Sequence, residues 1–209
     1  MRIVFFNISY MEFYKGKQGD KLIGTTRYVI EKGDGAEKHN FQPLLIDGVE
    51  ICRGFVEPGF TKGGFENGSQ RLMHIEKIAD AGNPKEKIDN VLVVWCAPLP
   101  ESKRTVVVGW YKNATVYRKV NTLPYEKEAD WGLEEFGNWY NAVAKKEDCV
   151  LLPTKERSKS IWAAYRRSHG QSAFGFGQSN MWYAREDNAQ EYVQQIAKHI
   201  EQYSGENWV

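Results

Sequence analysis

The sequence has few cysteines and no metal-binding spacing of cysteine and histidine. Only three cysteines occur among its 209 residues, Cys52, Cys96 and Cys149, and they are far apart with no CxxC pair. An odd number of widely spaced cysteines argues against a disulfide-stapled secreted domain and favours reduced thiols in the cytoplasm. The four histidines are scattered, so the sequence indicates no zinc site. We therefore expect neither a metal nor a cofactor.

Long hydrophobic runs are also missing. No apolar stretch approaches the roughly 20 residues of a membrane-spanning helix, and the MRIVFF start is too short for a signal peptide. We expect a cytoplasmic protein with no membrane partner. No linker divides the chain, so residues 1–209 are predicted to form a single domain, either complete or the N-terminal part of a longer protein.

An excess of charge of one sign is absent as well. The formal net charge is only +1, from 28 Lys and Arg against 27 Asp and Glu. The strongly basic total of many stand-alone nucleic-acid-binding domains is therefore lacking. Basic residues are nevertheless concentrated in 104–119 and 155–167, and acidic residues in 126–135 and 186–206. This separation fits either a one-sided basic face or an evenly mixed, solvated surface.

Catalytic motifs are not found. The GxSxG elbow of a nucleophilic serine and the GxxxxGK[ST] phosphate loop do not occur. Asp89 and Glu101 flank a predicted strand at 91–97, but they lack the D…ExK spacing of a metal-dependent nuclease. We therefore assign no catalytic residue and favour a binding protein over an enzyme.

Aromatic residues are abundant, at 13% of the chain. Rings in excess of what a core needs often line ligand pockets or interfaces. The richest segment, VVVGWYKNATVYRK at 106–119, places Trp110 and Tyr111 on opposite faces of a strand. Lys112 and Asn113 add a cation and an amide, which suit contact with a base edge while a ring stacks on its face. The alternative is a core ring beside a turn asparagine.

The segment GFGQSNMWYA at 175–184 is the second candidate for recognition. Two glycines allow close backbone approach, and three short polar side chains then precede Trp182. Arg166 and Arg167 lie upstream, so the region suits phosphate contact. The alternative is a glycine turn before a buried aromatic strand.

Hydrophobic patterning predicts more strands than helices. Helical spacing is rough over 121–148 and clear from Ala189 to Tyr203, where Asp187 or Asn188 is a candidate cap. Asp47-Gly48 predicts a hairpin, and Lys112-Asn113 either a tight turn or a bulge. Strands are predicted near 2–8, 41–46, 49–56, 90–97, 104–111, 114–120 and 149–153. We expect an α+β fold with an antiparallel or mixed sheet that is closed or strongly curved.

Four segments together resemble a known module. HNFQP (39–43), VLVVWCAP (91–98), VVVGWYKNATVYR (106–118) and GFGQSNMWYA (175–184) occur in the same order as in an N-terminal module of bacterial modification-dependent restriction proteins. That module is similar to the PUA-like superfamily, which includes the EVE, YTH and ASCH domains. The resemblance implies a curved, barrel-like, mostly antiparallel sheet flanked by helices. It also implies that the protein reads a modified base, such as methylated cytosine, flipped out of DNA into an aromatic pocket in a restriction or defence system.

The residue patterns and the resemblance together give two candidate sets. The base pocket comprises Asn7, Tyr10, Trp95, Trp110, Tyr111, Asn113 and Trp182. Contacts to the nucleic-acid backbone are expected from Lys112, Arg118, Arg166, Arg167, Gln178, Ser179 and Asn180. For Trp95, which shares a strand face with Val91 and Val93, core packing is the alternative.

The chain departs from the restriction proteins in one respect, because it has no HNH or other nuclease motif. Either a nuclease domain or subunit cleaves the DNA, or the protein only binds modified DNA. Two other functions stay open: a small-molecule or nucleotide-binding enzyme that uses the 175–183 loop, and an interaction protein whose exposed rings meet a partner chain.

Overall fold

The computed structural model describes residues 1–16, 20, 36–62, 64–100, 102, 104–123, 138–167 and 172–209. Its strands are β1 (Ile3–Asn7), β2 (Pro43–Ile46), β3 (Val49–Gly54), β4 (Lys87–Pro98), β5 (Thr105–Thr122), β6 (Trp139–Lys145), β7 (Cys149–Leu151), β8 (Ala163–Ala164) and β9 (Met181–Trp182). The α-helices are α1 (Gly64–Asn67), α2 (Thr154–Arg157) and α3 (Gln190–Gln202). Short 3₁₀ helices span Ala36–His39, Ile75–Lys77, Lys146–Asp148, Ser160–Trp162 and Asp187–Ala189.

The strands form one mixed sheet in the order β2-β3-β6-β5-β4-β1-β9, and β7 and β8 also pair with β5. β1 runs parallel to β4, whereas the other ladders are antiparallel. The predicted α+β class with a mixed sheet is confirmed. Closure into a barrel is not, because no ladder among the described residues joins β9 to β2.

The N-terminal strand and the first hairpin agree with the sequence. β1 lies between β4 and β9, and all five of its residues are buried. β2 and β3 pair across Asp47 and Gly48, whose φ angles of 50° and 80° fit a two-residue hairpin turn. Both predictions are confirmed.

β5 differs from the prediction of two strands with a turn at Lys112-Asn113. It is one strand of 18 residues. From Tyr111 to Ala114 it advances three residues, while its partner β4 advances two between Val93 and Val91. Asn113 has φ 48° at this point, so the pair is a β-bulge and the tight turn is wrong.

The predicted helical spacing over 121–148 is wrong where the structure describes it. Trp139–Lys145 is a strand paired with β3 and β5, because pairing on both sides decides the conformation of its aromatic and β-branched residues. Residues 124–137 of that segment lie outside the described residues. The C-terminal helix is confirmed as α3, although no side chain caps its start.

Each face of the sheet packs against its own core. The first core, around Phe6, Trp95 and Tyr111, takes side chains from one face of β1, β4 and β5. The second core lies between the opposite face and α3, and includes Trp110 and Trp182. The strand period of two sends neighbouring residues to different cores.

Candidate nucleic-acid interface

Trp95 and Tyr111 do not line an open slot, which corrects their assignment to a base pocket. Both are 0% exposed in the first core. Their rings meet edge to face with centroids 5.3 Å apart, and Phe6 packs on Trp95 at 5.2 Å. The Tyr111 hydroxyl donates to the backbone carbonyl of Asn40. The inward positions of β4 and β5 face the centre of this core, so the rings contribute packing.

Trp110 and Trp182 are also core rings, in the second core. Trp110 stacks on Trp162 with centroids 5.4 Å apart. Trp182 lies nearly parallel to Tyr192 at 5.9 Å, and its indole N–H donates to Glu186 Oε2 at 2.9 Å. A base would reach these rings only by displacing α3 or its side chains. The prediction that Trp110 and Trp182 line a base pocket is therefore wrong, because both rings are packed in the second core.

Asn7 and Tyr10 lie in a buried polar region where β1 ends. The Asn7 backbone N–H donates to the Asn180 carbonyl at 2.7 Å, and Asn180 Nδ2 donates to the Glu57 carbonyl at 3.1 Å. Asn7 Oδ1 is buried without a hydrogen-bond partner among the described residues. The Tyr10 ring lies 5.4 Å from the buried Arg157 guanidinium carbon. Asn7 and Asn180, predicted from separate segments, are therefore brought together.

Glu37, which the sequence did not single out, belongs to the same region. The Ser9 backbone N–H donates to Glu37 Oε2 at 2.7 Å. Burial raises the pKa of Glu37 to about 7, against the lowering effect of hydrogen bonds from Ser9, and the nearby Glu57 charge adds to the rise. Burial also raises the pKa of Glu57. The two carboxyl groups and the buried Arg157 guanidinium leave this region without the excess of positive charge that favours phosphate.

Most cations predicted to bind phosphate are held by the protein. Lys112 Nζ lies 2.9 Å from Glu201 Oε2, and Arg167 Nη2 lies 2.9 Å from Glu186 Oε1. The nearby Asn113 is exposed, but its amide donates to Asp148 Oδ1 at 3.0 Å. These exposed ion pairs are weak, so a phosphate can compete with the carboxylates for Lys112 and Arg167. In the structure, however, both side chains are held against carboxylates.

The 175–184 segment is explained largely by packing. Gly175 has φ 111°, and a side chain there would meet the Tyr165 carbonyl. Ser179 Oγ accepts the Met181 backbone N–H at 3.1 Å. Arg166 is half-buried beside the bridge to Phe176, while Gln178 is exposed. Only Arg166 and Gln178 of this predicted set have side chains without a hydrogen bond to a described residue.

A basic groove lies elsewhere, where β4 begins and β5 ends. It has a volume of about 300 Å³ and is lined by Lys85, Glu86, Lys87, Tyr117, Arg118, Lys119 and Asn121. We call it the Tyr117 groove. The lining carries four cationic side chains and one carboxylate. Because Arg118 pairs with Glu76 and Lys87 lies 3.7 Å from Asp89, the positive potential of the groove comes mainly from Lys85 and Lys119.

An irregularity in the pairing of β5 with β6 lies at this groove. From Val116 to Asn121, β5 advances five residues, while β6 advances two between Ala142 and Tyr140. Irregularities of this kind bend a strand and redirect its side chains. Val116 is fully buried in the first core, so the next residue, Tyr117, faces the opposite side of the sheet.

The Tyr117 ring is half-buried and meets the Tyr140 ring edge to face, with centroids 5.7 Å apart. Burial raises the Tyr117 pKa, and the Asp89 charge adds to the rise, so the phenol is neutral at physiological pH. Lys85, Lys87 and Lys119 are exposed around it. The ring offers aromatic surface within a positively charged recess.

Arg118, predicted as a phosphate contact, is a structural residue of the groove wall. Its guanidinium donates to the carbonyls of Lys85 and Pro84, each at 2.7 Å, and to Glu76 Oε2 at 2.7 Å. These bonds attach the loop before β4 to β5. Arg118 therefore positions the groove, while Lys85 and Lys119 are exposed beside it and Lys87 Nζ lies 3.7 Å from Asp89 Oδ1.

Sequence reasoning missed Tyr117 and the three lysines, although a signal was present. In NATVYRKVNT, the apolar Ala114 and Val116 alternate with Thr115, Tyr117 and Lys119. This is the pattern of a strand with one buried face, and it marks Tyr117 as outward-facing.

Comparison with known proteins adds no relative: no family model, curated protein or solved structure matches this chain. Among the described residues, no helix has the length and apolarity to cross a membrane. The same part of the chain contains no group of three or more His, Cys, Asp or Glu side chains arranged to hold a metal ion.

Proposed function

We propose that this protein binds nucleic acid in the Tyr117 groove, with an unpaired base on the Tyr117 ring and phosphates on the surrounding lysines. The observation that carries the proposal is the position of a half-exposed ring among Lys85, Lys87 and Lys119 in one recess. Aromatic stacking combined with a positive groove is the usual means of holding unpaired bases.

The concave shape of the groove favours an unpaired base over an intact duplex. Base edges within a duplex are read by a helix or ribbon that projects into a DNA groove. A recess of about 300 Å³ lies at the lower limit of small-ligand pockets, about 300–1,000 Å³, and accepts a single base. The base comes from a single strand, or is flipped out of a duplex.

Recognition of a modified base, such as methylated cytosine, is the finer part of this proposal and rests on the resemblance to a PUA-like module of restriction proteins. A methyl group adds roughly 1 kcal/mol of apolar burial, which corresponds to about a fivefold preference. In a defence system the protein would recognise the modified base, and a nuclease domain or subunit would cleave the DNA.

Fluorescence anisotropy with labelled oligonucleotides tests the proposal. Single strands, duplexes with one mismatched pair and perfect duplexes are compared at low and high salt, each with cytosine or methylated cytosine. We expect single strands to bind best, perfect duplexes worst, and affinity to fall with salt. Failure of every oligonucleotide to bind would contradict the proposal, while equal affinity for both cytosines would remove only the modified-base part.

Matched variants locate the site. Tyr117→Ala is expected to weaken single-strand binding about tenfold, because base stacking contributes about 1–3 kcal/mol by alanine substitution, and Tyr117→Phe is expected to retain it. Tyr165 is a suitable control, since its ring is 40% exposed on a different surface. If Tyr165→Ala and Tyr117→Ala reduce binding equally, the groove is not the site.

A further inference from the structure

We propose that a nucleic-acid strand bound in the Tyr117 groove continues along the same face of β4 and β5 into a second cationic groove. This inference rests on the proposed function. The second groove has a volume of about 610 Å³, and the charged side chains in its lining are Arg2, Lys112, Lys198 and Glu201. We call it the Lys112 groove.

The two grooves lie on one face of the sheet. Tyr111, Ala114 and Val116 point into the first core. The intervening Lys112 and the outward Thr115 and Tyr117 therefore face the other side. The bulge at Lys112 and Asn113 lies opposite Leu92 and adds one residue to β5. Tyr111 before it and Ala114 after it therefore both point into the first core.

The separation of the grooves suits a short strand of nucleotides. Tyr117 is five residues from Lys112 on β5, which corresponds to about 16 Å at the rise of a β-strand. Single-strand-binding modules commonly cover about 4–16 nucleotides, so one strand spans both grooves within a normal footprint.

The cations of the Lys112 groove keep most of their charge. Among the described residues, Arg2 donates only to the backbone carbonyls of Asp80 and Asp89, so its charge is not neutralised by these bonds. Lys198 is exposed and has no ion pair with a described residue. Lys112 pairs with Glu201, whose side chain is 77% exposed, and a phosphate can replace such a weakly held carboxylate.

The acidic residue Asp89 lies near both Thr115 and Lys87 on this face. Asp89 Oδ1 accepts the Thr115 hydroxyl at 2.6 Å and lies 3.7 Å from Lys87 Nζ. The hydroxyl and the ammonium group both reduce its repulsion of a passing phosphate. The path between the grooves is therefore weakly charged, with positive regions at both ends.

A length series tests the inference. Oligothymidylates of about 4 and about 12 nucleotides are compared by anisotropy with the unaltered protein and the Lys112→Ala/Lys198→Ala double variant. For the unaltered protein we expect the longer strand to bind about tenfold more tightly or better, since the second groove acts at high effective concentration. The double variant should lose most of this gain and keep its affinity for the short strand.

A control and two outcomes complete the test. Lys145→Ala/Lys159→Ala removes two lysines whose carboxylate partners are Glu147 and Glu156, and it should preserve the length gain. Two results would overturn the continuous path and leave the proposed function standing. In the first, the unaltered protein binds both lengths with equal affinity. In the second, the double variant loses the same factor of affinity for the short and the long strand. If neither length binds the unaltered protein, the proposed function itself fails.

Discussion

Trp110 illustrates how an aromatic residue in a recognition-like segment serves the core. Its ring stacks on Trp162 and meets Tyr203 edge to face at 5.4 Å. The indole N–H has no hydrogen-bond partner among the described residues, which costs about 1–3 kcal/mol. Burial of so large a ring offsets that cost.

Trp110→Ala is expected to destabilise the protein by about 3–5 kcal/mol, because it leaves a large cavity in the second core. Urea unfolding followed by circular dichroism measures the change, and Tyr165→Ala provides a half-exposed aromatic control. A stable Trp110→Ala protein that has lost oligonucleotide binding would instead mean that this ring contacts the ligand.

Glu37 gives the stability a pH dependence of known sign. Its pKa is raised from 4.5 to about 7 by burial, so the folded protein retains a proton that the unfolded chain releases. The stabilisation is fully present below pH 4.5 and is lost as pH rises through about 7. In this window the free energy of unfolding should fall by up to about 1.4 kcal/mol per pH unit.

Glu37→Gln is expected to flatten that slope, since the amide keeps an acceptor for the Ser9 N–H but does not titrate. Urea unfolding at several pH values between 4 and 8, a range of about four units around the shifted group, measures it. Glu147→Gln, at a side chain that is 76% exposed, should leave the slope unchanged. An unaltered slope in Glu37→Gln would show that another group titrates.

At the scale of elements, β5 organises the molecule. It pairs with β4, β6, β7 and β8, and its Lys112 and Tyr117 lie on the face opposite the first core, next to register shifts against β4 and β6. Hydrophobic patterning predicted strands near 104–111 and 114–120, and the structure joins them into this one strand. The bulge at Lys112-Asn113 was one of two predicted alternatives, whereas the irregularity between Val116 and Asn121 was not predicted, because it depends on register with a strand distant in sequence.

Gly109 shows how closely β7 approaches β5. A side chain at this position would meet the Val150 backbone carbonyl and the Phe41 ring. Gly109→Ala should therefore destabilise the fold by about 1–3 kcal/mol, as overpacking does. Gly177 has open space around it, so Gly177→Ala is the matched control and should be neutral or slightly stabilising in urea unfolding. Equal effects would contradict the packing of β7 on β5.

The strand at Trp139–Lys145 shows where sequence reasoning fails. Trp139, Tyr140 and Val143 have spacings that also fit a helix face. Pairing with β3 and β5 determines their conformation, and a single sequence does not reveal long-range pairing. The hairpin at Asp47-Gly48 was predictable because its signal is local.

At the scale of the whole molecule, the charge distribution is the property that the sequence concealed. Lys85 and Lys119 are 34 positions apart and become neighbours through the antiparallel register of β4 and β5. The net charge of +1 therefore coexists with two positive grooves on one face. The aromatic abundance suggested recognition, but most of those rings fill the two cores.

Photochemical crosslinking is the most direct test of nucleic-acid binding at the Tyr117 groove. A single strand with 5-iodouracil in place of thymine is irradiated with the protein, and the attached peptide is identified by mass spectrometry. We predict attachment at Tyr117 or Tyr140, loss of the Tyr117 adduct in Tyr117→Phe, and competition by unlabelled single strand. Competable attachment confined to a surface away from this groove, or a bound strand that never attaches to either tyrosine, would contradict the account.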